Sequence, residues 1–131
     1  MMLPKGTTVA VADGEKLNLF RNAGDEAALQ LTPTQHEAVT DAHAGSRQTS
    51  SGNPDPSQAS EDGFSAGIVG LLNKDVLEGR IHGLVIIAAP RALGEMRKHY
   101  HKALSAKLLG EIAKDLTGHG VGDIEAAIRG A

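Results

Sequence analysis

The chain is 131 residues long, enough for one domain around a single core and too short for two. Apolar residues make up 40% of it but aromatics only 2%, so the core must be built from Leu, Ile, Val and Ala, as suits a layered α/β domain. A formal charge of -3 excludes a uniformly basic nucleic-acid binder, and the absence of cysteine excludes disulfides, a thiol nucleophile and Cys-based zinc sites.

Thr7 to Asp13 is a β-prone run, and Asp13-Gly14 is a favoured dipeptide for the φ > 0 positions of a tight hairpin turn. The returning strand is Lys16 to Arg21, where Leu17 and Leu19 alternate with Lys16 and Asn18 until Phe20 breaks the period. Asn22 to Asp25 makes another turn, and Ala28 to Thr32 a short third strand. Residues 33 to about 54 are polar and without sustained period, which predicts a flexible loop.

Asp55, Pro56 and Gln58 have the form of a helix start, with an Asp N-cap, Pro at the first helical position and Gln able to reach back to the cap. Phe64, Ile68, Leu71, Leu72 and Val76 follow at helical spacing, and Gly79 is placed to end the helix. Gly63, Gly67 and Gly70 each weaken that helix by about 1 kcal/mol relative to Ala, which predicts close packing against the sheet. Ile81 to Ala89 is nearly all apolar and β-branched at its centre, as expected of a strand buried on both faces in a parallel sheet.

Pro90 opens a helix with the stripe Leu93, Met96, Tyr100 and Leu104. Lys107 to Leu116 is ambiguous: Leu104, Leu108, Ile112 and Leu116 recur at helical spacing, Gly110 interrupts either a helix or a strand, and pattern alone slightly favours a helix. After the glycine-rich stretch Gly118 to Gly122, Asp123 is placed to cap a short final helix that buries Ile124 and Ile128. The N-terminus lacks the apolar core of a secretory signal, and the longest apolar run, Leu84 to Ala89, is far too short to span a bilayer. A cytoplasmic location is therefore expected.

Val9-Ala10-Val11-Ala12-Asp13-Gly14, followed by Leu17-x-Leu19-Phe20-Arg21, resembles the opening of the bacterial host-attachment family. The resemblance is stronger over Ala89-Pro90-Arg91-Ala92-Leu93-Gly94-Glu95-Met96-Arg97 and Gly110-Glu111-Ile112-Ala113-Lys114-Asp115-Leu116-Thr117. The motif positions are Asp13, Gly94, Glu95, Glu111, Lys114 and Asp115. The family is named for a role in attaching plant-associated bacteria to host cells, and its fold is similar to the middle domain of archaeal and eukaryotic release factors and of Pelota.

The resemblance implies one α/β domain over residues 1–131, with a mixed sheet of release-factor-middle-domain or ribonuclease H-like type. It makes Lys107 to Ala113 a strand, against the pattern, and so gives the order βββ-α-β-α-β-α. The Gly-Arg-containing stretch and further arginines that family members carry before the first long helix are missing, since residues 44–62 hold only Arg47. No role of that stretch is carried over.

This order also belongs to two-metal nucleases, whose carboxylates converge on cations about 4 Å apart from the first strand, first helix and fourth strand. Asp13 ends the first strand, but Ile81 to Ala89 offers no acid, so Asp13 is read as a turn residue. His99 and His101, if helical, point about 200° apart and cannot share an ion. No serine or threonine has a GxSxG context, and Gly118-x-Gly120-x-Gly122 lacks the strand-helix unit of a dinucleotide fingerprint. Neither a cofactor nor a metal is expected.

The most informative surface feature is basic. Arg91, Arg97, Lys98, Lys102 and Lys107 stand against Glu95 alone, a net +4 that leaves -7 on the rest of the chain. Such a run is either a solvated helix face or a contact for an anionic partner, RNA phosphate or an acidic protein. The expectation is a non-enzymatic host-attachment protein that acts by binding a protein or an anionic surface. The alternative is a translation-related factor associated with the ribosome or RNA, without peptide-release activity because the release-factor Gly-Gly-Gln tripeptide is absent.

Overall fold

The computed structural model describes residues 1–40 and 56–131. Its elements are β1 (Thr8–Ala12), β2 (Leu17–Asn22), β3 (Leu31–Thr34), α1 (Pro56–Leu77), β4 (Leu84–Ala88), α2 (Pro90–Arg97), α3 (Lys102–Lys107), β5 (Leu108–Ala113) and α4 (Val121–Arg129). The strands form one mixed sheet in the order β3-β2-β1-β4-β5. β2 is antiparallel to β1 and to β3, whereas β4 runs parallel to β1 on one side and to β5 on the other. The expected α/β class with a single mixed sheet is borne out, and β5 is a strand.

Alternation along the central strands divides the core in two. Ala10, Ala12, Leu84, Ile86 and Ala88 face Ile68 and Leu72 of α1, Leu93 and Met96 of α2, and Leu104 of α3. Val9, Val11, Val85 and Ile87 face Ile124 and Ile128 of α4, with Leu3, Phe20 and Leu31 beside them. Every residue of β4 is buried, because a strand flanked by parallel neighbours and covered on both faces has no solvent side. Phe20 breaks the alternation of β2 for the same reason: Leu17 and Leu19 serve one core and Phe20 the other.

The third strand lies further along the chain than predicted. The Asp25 carboxylate accepts the backbone N–H groups of Ala27 and Ala28, which ties Ala28 into a turn and delays strand pairing to Leu31. Pro33, expected in the loop, lies inside β3, tolerated because β3 is an edge strand. Residues 35–40 are also not free of the core. Val39 packs against the α1 side of the core, His36 Nε2 lies 2.8 Å from the Leu17 carbonyl oxygen, and Lys74 pairs with Glu37 at 3.4 Å. The rest of the expected loop, with Arg47 and the Asp55 cap, falls outside the described residues.

Three glycine expectations are corrected. Gly14 does not adopt positive φ; a Cβ there would lie 2.9 Å from the Cβ of Glu61, closer than two such carbons normally come, so glycine suits the close approach of α1 to the hairpin. Gly67 packs against the Thr40 carbonyl and Val39, not against the sheet, and Gly70 faces open space. Gly79, with φ of 80°, ends α1 as expected.

The helix predicted from Pro90 through Leu104 is two helices. It breaks at Lys98–His101, and the observed order is βββ-α-β-α-α-β-α. The cap of α4 is Gly120, not Asp123, which sits in the first turn and pairs with His119 at 3.1 Å. No described helix is long and apolar enough to cross a membrane.

Candidate functional site

The break after α2 is held open by specific bonds. Asn73 of α1 donates to the His99 carbonyl at 3.1 Å and accepts the His101 N–H at 3.1 Å, so one amide spans the connection. His101 then caps α3, its Nδ1 accepting the Ala103 N–H at 2.9 Å. His99 and His101 thus lie in a connection rather than on one helix, and both are committed within the chain, His99 through a 2.9 Å contact with Glu95.

Tyr100 keeps its ring packed against the core that holds Leu93, Met96 and Leu104, as the predicted stripe requires, and reaches β5 with its hydroxyl. Its hydroxyl donates to Glu111 Oε2 at 2.5 Å, while Arg97 places Nε at 3.0 Å and a terminal nitrogen at 2.9 Å from Oε1. Burial and then the bond to Glu111 push the Tyr100 hydroxyl far above its ordinary range. Burial opposes the charge on Glu111, but Arg97 and Tyr100 outweigh it and hold the carboxyl below its usual value. Glu95 is also depressed, chiefly by His99 and secondarily by Lys98, which lies 3.0 Å away.

Of the basic residues, Arg97 and Lys98 are therefore tethered to Glu111 and Glu95 while their side chains remain 55% and 69% exposed. Arg91, on the first turn of α2, and Lys102 and Lys107, on α3, are exposed and have no hydrogen bond or ion pair among the described residues. The five cations occupy two short helices and their connection, not a single helical face.

Asp13 and Asp115 meet at the C-terminal ends of the parallel strands. Asp13 Oδ1 accepts the N–H groups of Glu15 and Lys16, each at 2.7 Å, which closes the hairpin. The Thr117 hydroxyl lies 2.8 Å from Asp13 Oδ2 and 2.9 Å from Asp115 Oδ1, so the turn after β5 is fastened to the turn after β1. Burial opposes the charge on Asp13, but the Glu15 N–H, the Thr117 hydroxyl and the Lys16 N–H together lower its carboxyl. Lys114 is exposed beside this junction; Gly94 is an exposed helical position with nothing near its missing Cβ, and no packing reason for glycine is visible there.

Among the described residues no three His, Asp or Glu side chains are grouped so as to hold a metal ion. A cleft of about 460 Å³ opens elsewhere, at the N-terminal ends of β1 and β4, and is lined by Arg21, His36, Glu37, Asp75 and Arg80 among others. None of the binding or motif positions singled out as candidate site residues lines it, although Leu19, Arg21, Leu71 and Ile81 do. Sequence reasoning also missed the Asn73 clasp and the Tyr100 bond, since nothing in a local pattern announces contacts of the α2–α3 connection with α1 and with β5.

This mixed-sheet α/β architecture is consistent with that of the release-factor middle domain. A family model described as bacterial archaeo-eukaryotic release factor family 12 matches residues 6–128, and the chain belongs to that family. No curated protein matches it.

Proposed function

We propose that the protein is an RNA-associated, translation-related factor that acts by binding and not by catalysis. The observation that carries this reading is the set of exposed cations on α2 and α3, in which Arg91, Lys102 and Lys107 are held by no acid among the described residues. A phosphate backbone is bound mainly through such side chains, each contact releasing counterions. The family match supports the release-factor half of the sequence resemblance and says nothing of attachment to host cells, so RNA association takes precedence over the attachment role. A factor of this kind would occupy RNA or the ribosome without releasing peptide, since the Gly-Gly-Gln tripeptide is missing from this sequence.

The test is co-sedimentation with ribosomes and titration of labelled RNA across a range of salt. The variant Arg91→Gln/Lys102→Gln/Lys107→Gln should lose most of the binding and flatten the salt dependence by about one unit of slope per phosphate contact removed. Its melting should match the parent, because exposed charges contribute little to folding. Binding unchanged across the salt series would refute the reading.

A further inference from the structure

The cleft at the N-terminal ends of β1 and β4 plays no part in the basic surface, and its volume of about 460 Å³ is that of a small-molecule site. Two of its lining residues, Thr8 of β1 and Arg21 of β2, are partners across the antiparallel ladder. The Thr8 N–H donates to the Gly83 carbonyl on the β4 side, so the pair is of the non-hydrogen-bonded kind, whose side chains stand close together on one face. Thr8 is only 5% exposed, yet its hydroxyl has no hydrogen-bond partner among the described residues. A hydroxyl so enclosed is normally bonded, and this one borders the cleft. Arg21 beside it is exposed and makes no ion pair among the described residues.

The remaining polar groups of the lining are committed to one another. Glu37 pairs with Lys74 at 3.4 Å and Asp75 with Arg80 at 2.9 Å. The two ring nitrogens of His36 lie 2.7 and 2.8 Å from the carbonyl oxygens of Glu37 and Leu17. Arg21 is left as the uncompensated charge of the cleft, and Leu19, Leu71 and Ile81 give it an apolar wall.

We propose that this cleft binds a small monocarboxylate, with the carboxylate on the Arg21 guanidinium and the Thr8 hydroxyl and the apolar body against Leu19, Leu71 and Ile81. The guanidinium fork matches the two oxygens of a carboxylate, and the adjacent hydroxyl supplies a further donor. One free cation balances one negative charge. A dianion such as a phosphate monoester would bring a second charge towards Asp75 and Glu37, whose own cations are already engaged.

Titration of the full chain with isovalerate and with phenylacetate, each beside its neutral amide, tests this by amide NMR. Both acids should give saturable shifts at Thr8, Arg21 and Thr34 with Kd of about 1 mM or below, and the amides should bind at least about tenfold more weakly. Arg21→Gln should remove that preference for the acid. Thr8→Val keeps the shape of the side chain and should weaken the acids about tenfold. Its melting should match or exceed the parent's, since the hydroxyl it removes bonds to nothing in the chain; a hydroxyl with a structural role would lower it. Neither acid saturating, the amides binding as well as the acids, or Arg21→Gln binding the acids undiminished would each overturn the proposal.

Discussion

Replacing Tyr100 by Phe removes one hydroxyl and keeps the ring, so it isolates the bond that pins the α2–α3 connection to β5. The two oxygens of Glu111 are divided: both Arg97 contacts fall on Oε1, and Oε2 has Tyr100 as its partner. A hydrogen bond to a charged acceptor contributes about 1.5–3 kcal/mol. The Glu111 side chain is 21% exposed, so water can reach part of the vacated oxygen and the loss should fall near the lower end, about 1.5 kcal/mol. In urea unfolding that is a lower midpoint at unchanged slope, and in a thermal melt a fall in Tm of about 5 °C.

Arg97→Ala, which removes the formal charge partner, should cost less, because that guanidinium lies in solvent. Glu111 has a depressed carboxyl when folded, so what it contributes is present above the unfolded-state carboxylate range and is lost as pH falls through the folded-state value. The gap between parent and Tyr100→Phe should accordingly close on acidification below about pH 4. A Tyr100→Phe protein as stable as the parent at neutral pH, or less damaged than Arg97→Ala, would refute this assignment of the energy.

Three further outcomes are expected. Ile86→Asp should unfold the protein, since an unpaired charge in the fully buried centre of β4 costs several kcal/mol against a typical stability of about 5–15; native circular dichroism with an unchanged melt would remove β4 from the core. Gly70→Ala should raise stability by up to about 1 kcal/mol because its Cβ enters open space, while Gly67→Ala should lower it by driving a methyl into the Thr40 carbonyl; equal effects in urea titration would contradict that contact. Deleting Gln35 to Thr40 should cost about 1 kcal/mol or more through loss of Val39 packing alone, and a deletion variant that melts with the parent would return those residues to the loop.

The sequence pattern was most reliable where burial acts on both faces at once. The apolar run of β4, the Pro90 helix start and the Gly79 helix end were all legible because each depends on the residue itself or its immediate neighbours. The α2–α3 break was not, because Leu93, Met96, Tyr100 and Leu104 keep helical spacing across it; the deciding groups are an amide on α1 and an imidazole that caps the next helix. β5 was read correctly only through family resemblance, since its Leu108 and Ile112 serve opposite cores yet are spaced like one helical stripe. Of the candidate site, the basic residues were visible as composition, but which of them are tethered required knowing that Glu111 lies beside Arg97 and Glu95 beside Lys98.

The pairing of β1 with β4 has a consequence for how the chain folds. β1, β2 and β3 are joined by short turns and can assemble from local contacts, but the parallel ladder from Thr8↔Leu84 to Ala12↔Ala88 must close a loop of about 70 residues before any of its bonds form. The entropy of that closure grows only logarithmically, about 0.6 kcal/mol for each doubling of length, so segments inserted between β3 and α1 change the cost of docking β4 very little. Folding should therefore be limited by the arrival of β4 on a preformed meander, with a rate set by topology and nearly indifferent to the length of the intervening chain.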